Sequence, residues 1–133
     1  IKERFPDAYI AAIEPLQSPV MSGGKPGKHR ISGIGDGLIP NIVIGNKNGL
    51  NEIIDEVILI DDQEAETAAK YLSIRGYCVG PSSGANYLGS TILSERFETV
   101  VTVFADSFSR YKSRGFERTN PICPNRERCP ILL

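Results

Sequence analysis

The chain has 133 residues, 41% of them hydrophobic and 23% charged, with a formal net charge of −1. That is enough for one domain with a core and too little for two, and the near-neutral balance gives no electrostatic basis for binding nucleic acid or an anionic membrane. No apolar run approaches the roughly 20 residues that span a bilayer, and no secretory signal pattern opens the chain, so a cytoplasmic protein is the default expectation.

Lys2 to Asp7 reads as the tail of a helix followed by a turn. Ala8 to Ile13 (Ala-Tyr-Ile-Ala-Ala-Ile) is then a continuous apolar run, the pattern of a parallel strand covered on both faces. Glu14-Pro15 is expected to stop it, because proline cannot donate to a ladder. A parallel strand so near the first residue implies further structure upstream. From Gln17 to Gly37 the composition turns basic and glycine-rich: Ser22-Gly23-Gly24-Lys25-Pro26-Gly27-Lys28-His29-Arg30, then Gly33-Ile34-Gly35-Asp36-Gly37. A loop of this length is more often a binding or lid segment than a connector. Its basic residues suit either an anionic substrate group or a solvated surface. The Gly-x-Gly-x-Gly string follows no clear strand and lacks the Gly-Lys-Ser/Thr ending of a P-loop.

Leu38 to Ile44 predicts a short helix, and Gly45 to Gly49 an exposed turn. Val57 to Ile60 is the next strand. Asp61 with Glu64 three residues on forms a capping box, and Ala65, Ala68, Ala69 and Leu72 fall on one helical stripe that Gly76 ends. Tyr77 to Val79 predicts a short buried strand, Gly80-Pro81 a turn, and Ser82-Ser83-Gly84 the opening of a second helix with Ala85, Leu88 and Ile92 facing inward. Thr99 to Phe104 is the last predicted strand, closing at Ala105-Asp106-Ser107. Strands alternating with helices over short loops give an α/β fold with a parallel sheet. Ligands in such sheets bind outside the carboxyl ends of the strands, where the loop near Gly33, the Gly80–Ser83 junction and Asp106-Ser107 are all expected to converge. Ser82 and Ser83 have two readings, as N-caps or as polar groups presented to a ligand at a helix N-terminus.

Cys78, Cys123 and Cys129 make an odd set at spacings unlike a disulfide framework. Cys78 reads as a small core residue. Cys123 and Cys129 stand alone with His29 distant, short of the four or so ligands of a metal site. No metal is expected, and the two cysteines read as a free thiol pair.

Three segments carry a resemblance. Ser22-Gly23-Gly24-Lys25-Pro26-Gly27-x-His29 running into Gly33-Ile34-Gly35-x-Gly37, Gly80-x-Ser82-Ser83-Gly84-Ala85, and Phe104-Ala105-Asp106-Ser107 with Arg110-Tyr111 resemble, in order and separation, motifs of the cysteine synthases (O-acetylserine sulfhydrylases). The cystathionine β-synthases share the same scaffold and are the nearest competing family. The resemblance implies the C-terminal part of the large domain of a fold type II pyridoxal phosphate enzyme, an incomplete three-layer parallel α/β sheet, over residues 1–115. Residues 116–133 are an unassigned tail with two cysteines. It implies an enzyme, a homodimer or one associated with a separate N-terminal part, that replaces the β-substituent of an activated serine, a small amino-acid substrate, with sulfide. By the match, Ser82 corresponds to the serine that hydrogen-bonds the pyridine nitrogen of pyridoxal phosphate. Gly33, with Ile34, corresponds to the loop that passes close to the bound amino acid. A neutral hydroxyl at a helix N-terminus disfavours protonation of that nitrogen, which weakens the ring as an electron sink and favours β-elimination.

The departures are substantial. The family's Schiff-base lysine in its Ser-x-Lys context, its Gly-Thr-rich phosphate loop and its substrate-carboxylate loop have no counterpart here, and no catalytic residue is assigned. Lys28, Asp36 and Phe108-Ser109 stand where the family often has Pro, Ala and Gly-Glu. The chain alone is therefore expected to be inactive. The reading from another class is a non-catalytic interaction module derived from the same fold.

Overall fold

The computed structural model describes residues 1–44 and 53–116. In chain order these form β1 (Ala11–Pro15), a 3-10 turn (Asn41–Val43), β2 (Glu56–Ile60), α1 (Asp62–Ile74), α2 (Pro81–Ser94) and a 3-10 segment (Phe108–Arg114) kinked at Tyr111. Strands β1 and β2 pair in parallel, with Ala11 opposite Glu56 and Pro15 opposite Ile60. The expected parallel α/β arrangement is present as a two-stranded sheet with two helices. Among the described residues it does not extend to a three-layer sheet.

The first strand lies later than the sequence suggests, and Pro15 belongs to it. Leu16 donates its N–H to the Ile60 carbonyl at 2.9 Å. Alternate residues of a strand bond to opposite sides, so the missing N–H of Pro15 faces away from β2 and costs the ladder nothing. Glu14 is 1% exposed. Its carboxylate accepts the N–H groups of Met21 (2.6 Å) and Ser22 (3.1 Å) and the Ser22 hydroxyl (3.0 Å), which ties the start of the glycine loop to the strand.

Asp61 caps α1 as its position predicts, accepting from the N–H groups of Gln63 (2.8 Å) and Glu64 (3.2 Å). Ala65, Ala68, Ala69 and Leu72 are buried. In α2 the inward stripe runs through Ala85, Gly89 and Leu93. Leu88 and Leu93 pack on the core, Gly89 lies against Ile13, and Ile92 is exposed, contrary to expectation. A four-residue step along the helix keeps 85, 89 and 93 over β1, whereas 92 has rotated towards solvent. The α1–α2 crossing is tight at Gly84, where a Cβ would stand 2.0 Å from the Ala65 carbonyl oxygen and 2.8 Å from the Ala69 nitrogen.

Two predicted strands are absent. Around Tyr77 to Val79, the Tyr77 N–H closes the turn after α1 on the Leu72 carbonyl, and the Cys78 carbonyl accepts from the distant Phe108 N–H, an isolated bond that does not continue into a ladder. Thr99 to Phe104 lies beside α2, with the Asn86 side chain donating to the Val103 carbonyl at 2.8 Å. Val101 is 88% exposed. An apolar run becomes a strand only where a neighbouring strand takes up its N–H and C=O groups in register, and among the described residues the bonds to these segments come from Phe108 and the Asn86 side chain instead.

Among the described residues the core has two parts. Ile31, Ile58, Ile60, Ala65 and Ala85 join the sheet to the helices, and Ala69, Phe108, Tyr111 and Phe116 form a second cluster with Cys78 against it. Burial of a side chain such as Phe116 stabilises by about 1.5–3 kcal/mol. That docks the 3-10 segment on α1, next to the α2 N-terminus. No helix among the described residues is long and apolar enough to cross a membrane. Residues 45–49, Cys123 and Cys129, whose readings are given above, lie outside the described residues.

Candidate functional site at the N-terminus of helix α2

The N-cap of α2 is Gly80, in extended conformation, and Pro81 opens the first turn. Neither Ser82 nor Ser83 caps the helix. Pro81 has no N–H to satisfy and its ring pre-sets the helical φ, so the helix starts one residue earlier than the serines suggest and both hydroxyls are left for other partners. Ser82 is 7% exposed and Ser83 fully buried.

The partner is Asp106. Its Oδ1 accepts the Ser83 hydroxyl at 2.5 Å and the Gly80 N–H at 3.1 Å. Its Oδ2 is buried with no hydrogen bond of ordinary geometry, and the Ser82 and Tyr111 hydroxyls lie close by. Burial of the Asp106 carboxyl opposes its charge. Hydrogen bonds from Ser83 and the Gly80 N–H, with the Ser82 and Tyr111 hydroxyls close by, outweigh burial and hold its pKa below the usual carboxylate value. A negative charge is also well placed at the positive end of a helix. Gly80 has to lack a side chain here, since a Cβ would come within 2.3 Å of Asp106 Oδ2 and 2.2 Å of the Tyr111 ring.

Tyr111 extends the cluster. Burial, then the Asp106 charge and the hydrogen bond to it, push the Tyr111 phenol pKa up, while Ser32 and Arg110 act in the opposite sense. Ser32 precedes Gly33, so the glycine loop, the 3-10 segment and the α2 N-terminus meet through Ser32, Tyr111 and Asp106. The convergence expected from the sequence is present, although the strands expected to deliver it are not. Gly33 itself has φ +94° and open space where a Cβ would be.

The loop is held internally. His29 donates from Nε2 to the Gly35 carbonyl at 2.8 Å. Arg30 pairs with Glu66 of α1 at 2.7 Å, and Arg114 at the end of the 3-10 segment bonds to the other oxygen of the same carboxylate. Arg114 also donates to the Arg30 carbonyl at 2.9 Å. Glu66 is 5% exposed. Lys25 and Lys28 remain exposed, Lys2 pairs with Asp55, and Lys70 lies over the Phe116 ring.

Asp106 and Tyr111 are visible in the sequence only as members of a motif. A carboxylate closing an apolar run opposite a Gly-Pro-Ser-Ser junction is the signal that marks the first. Glu66 is missed altogether, and its signal is an acid on the buried edge of an alanine stripe.

The residues present fit one edge of a pyridoxal ring. Ser82 offers a buried neutral hydroxyl among small neighbours, and with Ser83 and the Gly80 N–H already holding Asp106, its one proton can be donated to an unprotonated ring nitrogen. A phosphate cradle and an amine for the aldehyde are not part of this cluster.

No family model matches the chain. Cysteine synthase B of Campylobacter jejuni is 40% identical over 115 residues, 85% of this chain and 36% of that protein. The crystal structure of a hydrogen sulfide-producing enzyme from Fusobacterium nucleatum superposes with a TM-score of 0.73 at 38% identity, over 93% of this chain and 36% of that one. An O-acetylserine dependent cystathionine β-synthase from Helicobacter pylori does so with a TM-score of 0.74 at 35% identity, over 86% and 37%. The match is to fold type II pyridoxal phosphate enzymes. The chain spans little more than a third of the length of these proteins. Over about 85% of its own length, the chain is homologous to the cysteine synthase (O-acetylserine sulfhydrylase) family.

Proposed function

We propose that this chain supplies the pyridine side of the cofactor site in a cysteine synthase-like enzyme, one that replaces the β-substituent of an activated serine with sulfide. The observation that carries the reading is Ser82, a buried hydroxyl at the start of α2 that caps nothing and is held beside Asp106. Pyridoxal phosphate, when bound, supplies the electron sink for loss of the leaving group. Ser82 would hold the ring nitrogen as a neutral hydrogen-bond donor. Asp106 offsets much of the helix charge at this end, so the nitrogen would stay unprotonated by facing a hydroxyl instead of the carboxylate. Ser83 and the Gly80 N–H hold Asp106, and Gly33 would lie on the substrate side. The residues that carry the Schiff base and the phosphate come from a part of the enzyme with no counterpart in these 133 residues, joined to it or met as a partner, and the whole works as a homodimer.

The test is absorbance of bound pyridoxal phosphate in the purified whole protein, with formation of cysteine from O-acetylserine and sulfide. A whole protein that neither binds the cofactor nor makes cysteine would leave the non-catalytic module as the reading. The likeness to the Helicobacter pylori enzyme favours one further alternative, a thiol amino acid as nucleophile. Thioether formation in place of cysteine would select it.

A further inference from the structure

We propose that Glu66 is a positioning residue: from α1 it clamps Arg30 and Arg114 together, and so sets the glycine loop and the 3-10 segment against the Ser82 junction. Its significance for catalysis rests on the reading of that junction as the ring-side site. The geometry of the clamp does not.

Glu66 is 5% exposed and uses both carboxylate oxygens, Oε2 for Arg30 at 2.7 Å and Oε1 for Arg114. The two arginines come from segments 84 residues apart, and Arg114 Nη2 also donates to the Arg30 carbonyl at 2.9 Å. Two guanidinium groups converging on one carboxylate are stable only while the carboxylate is charged. The Arg114 side chain is 25% exposed and the Arg30 side chain 59%, so neutralising Glu66 leaves the partly buried Arg114 without its counter-charge, while solvent screens much of the loss at Arg30. Each arginine lies next to a residue of the site in its own segment. Arg30 is two residues before Ser32, and Arg114 three after Tyr111.

Ile31 is fully buried, and the Arg30 N–H bonds to Asp62 at 3.0 Å, so the loop stays attached to α1 in any case. These contacts fix where the loop leaves α1, and the Glu66 pair, with the Arg114 bond to the Arg30 carbonyl, bears on how the following residues turn. The same logic holds for the 3-10 segment. Phe108 and Phe116 anchor its ends in the second cluster, and Arg114 sets how Tyr111 turns towards Asp106.

The experiment compares the full chain with Glu66→Gln by amide hydrogen exchange and by the titration of Tyr111, followed with ring-labelled tyrosine. Glu66→Gln is expected to speed exchange about tenfold in residues 28–37 and 108–116 while the amides of α1 and α2 keep their protection. The Tyr111 phenol is expected to titrate lower than in the parent, as the ring leaves its buried place beside Asp106. Unchanged loop exchange and Tyr111 titration would overturn the proposal. So would loss of protection in α1 and α2 together with the loops, which would make Glu66 a support of the whole fold. Should Glu66→Gln fail to fold, Arg30→Gln and Arg114→Gln decide: each is expected to release its own segment alone, and either one without local effect overturns the clamp. Failure of the site reading has a separate signature, a whole protein that takes up no pyridoxal phosphate while these exchange and titration results stand.

Discussion

Ser83 gives its hydroxyl proton to Asp106 at 2.5 Å, across 23 residues of sequence. With the Gly80 N–H on the same oxygen, this bond joins the start of α2 to the segment that carries Tyr111. Ser83→Ala removes a donor to a charged, partly buried acceptor and is expected to lower the unfolding free energy by about 1–2 kcal/mol. Urea denaturation measures it. A variant as stable as the parent would show that Asp106 is held by other means.

The same carboxylate makes stability depend on pH. Its folded-state pKa lies below that of an unfolded aspartate, near 4. The ionised form therefore favours the folded state, fully so above that value, and the contribution is lost as the pH falls through the folded pKa. Asp106→Asn has no such titration. The difference in stability between the parent and Asp106→Asn is expected to be widest at neutral pH and to narrow at about pH 3. Denaturation followed by circular dichroism at the two pH values is the check, and equal differences would assign the effect to shape instead of charge.

Gly84→Ala probes the helix crossing. The added methyl would meet backbone atoms of Ala65 and Ala69, which cannot move aside as a side chain can. A loss of about 2–3 kcal/mol is expected, seen as a lower thermal midpoint. A smaller loss, under about 0.5 kcal/mol, would mean that α1 and α2 can part without penalty.

Ser82→Ala separates contact from cap. Because Gly80 occupies the N-cap position, stability is expected to change by under about 1 kcal/mol, whereas the absorbance and affinity of bound pyridoxal phosphate in the whole protein should shift. A variant with unaltered cofactor spectra and affinity would remove Ser82 from the ring.

Much of this could be read from the residues because it depends on local chemistry. Asp61 caps α1 wherever the helix packs, and the alanine stripe buries itself by periodicity alone. Ser82 is different: by local chemistry it reads equally as an N-cap, and only the resemblance singles it out. The failures are places where a distant partner decides. Tyr77 to Val79 and Thr99 to Phe104 have the composition of strands, yet strand formation needs a neighbour that composition does not encode. Ile92 fits a stripe that steps from Ala85 by three residues to Leu88 and by four to Ile92, but the surface of β1 takes up Gly89 and Leu93, each four residues on from the last. Glu66 looks like any solvated helix acid until Arg30 and Arg114, one from each side of it in sequence, fold onto it.

The parallel pairing of β1 with β2 bears on the order of assembly. The Ile10 N–H reaches the Asp55 carboxylate over 45 residues, and the ladder closes over a comparable span. A closure that long loses much chain entropy before any contact is made, while α1 and α2 are consecutive and joined by a short turn. The helical pair is therefore the early event in folding and the sheet the slow one. Substitutions at Gly84 or Ala69 should act mainly on the folding rate, and substitutions at Ile13 or Ile58 mainly on unfolding.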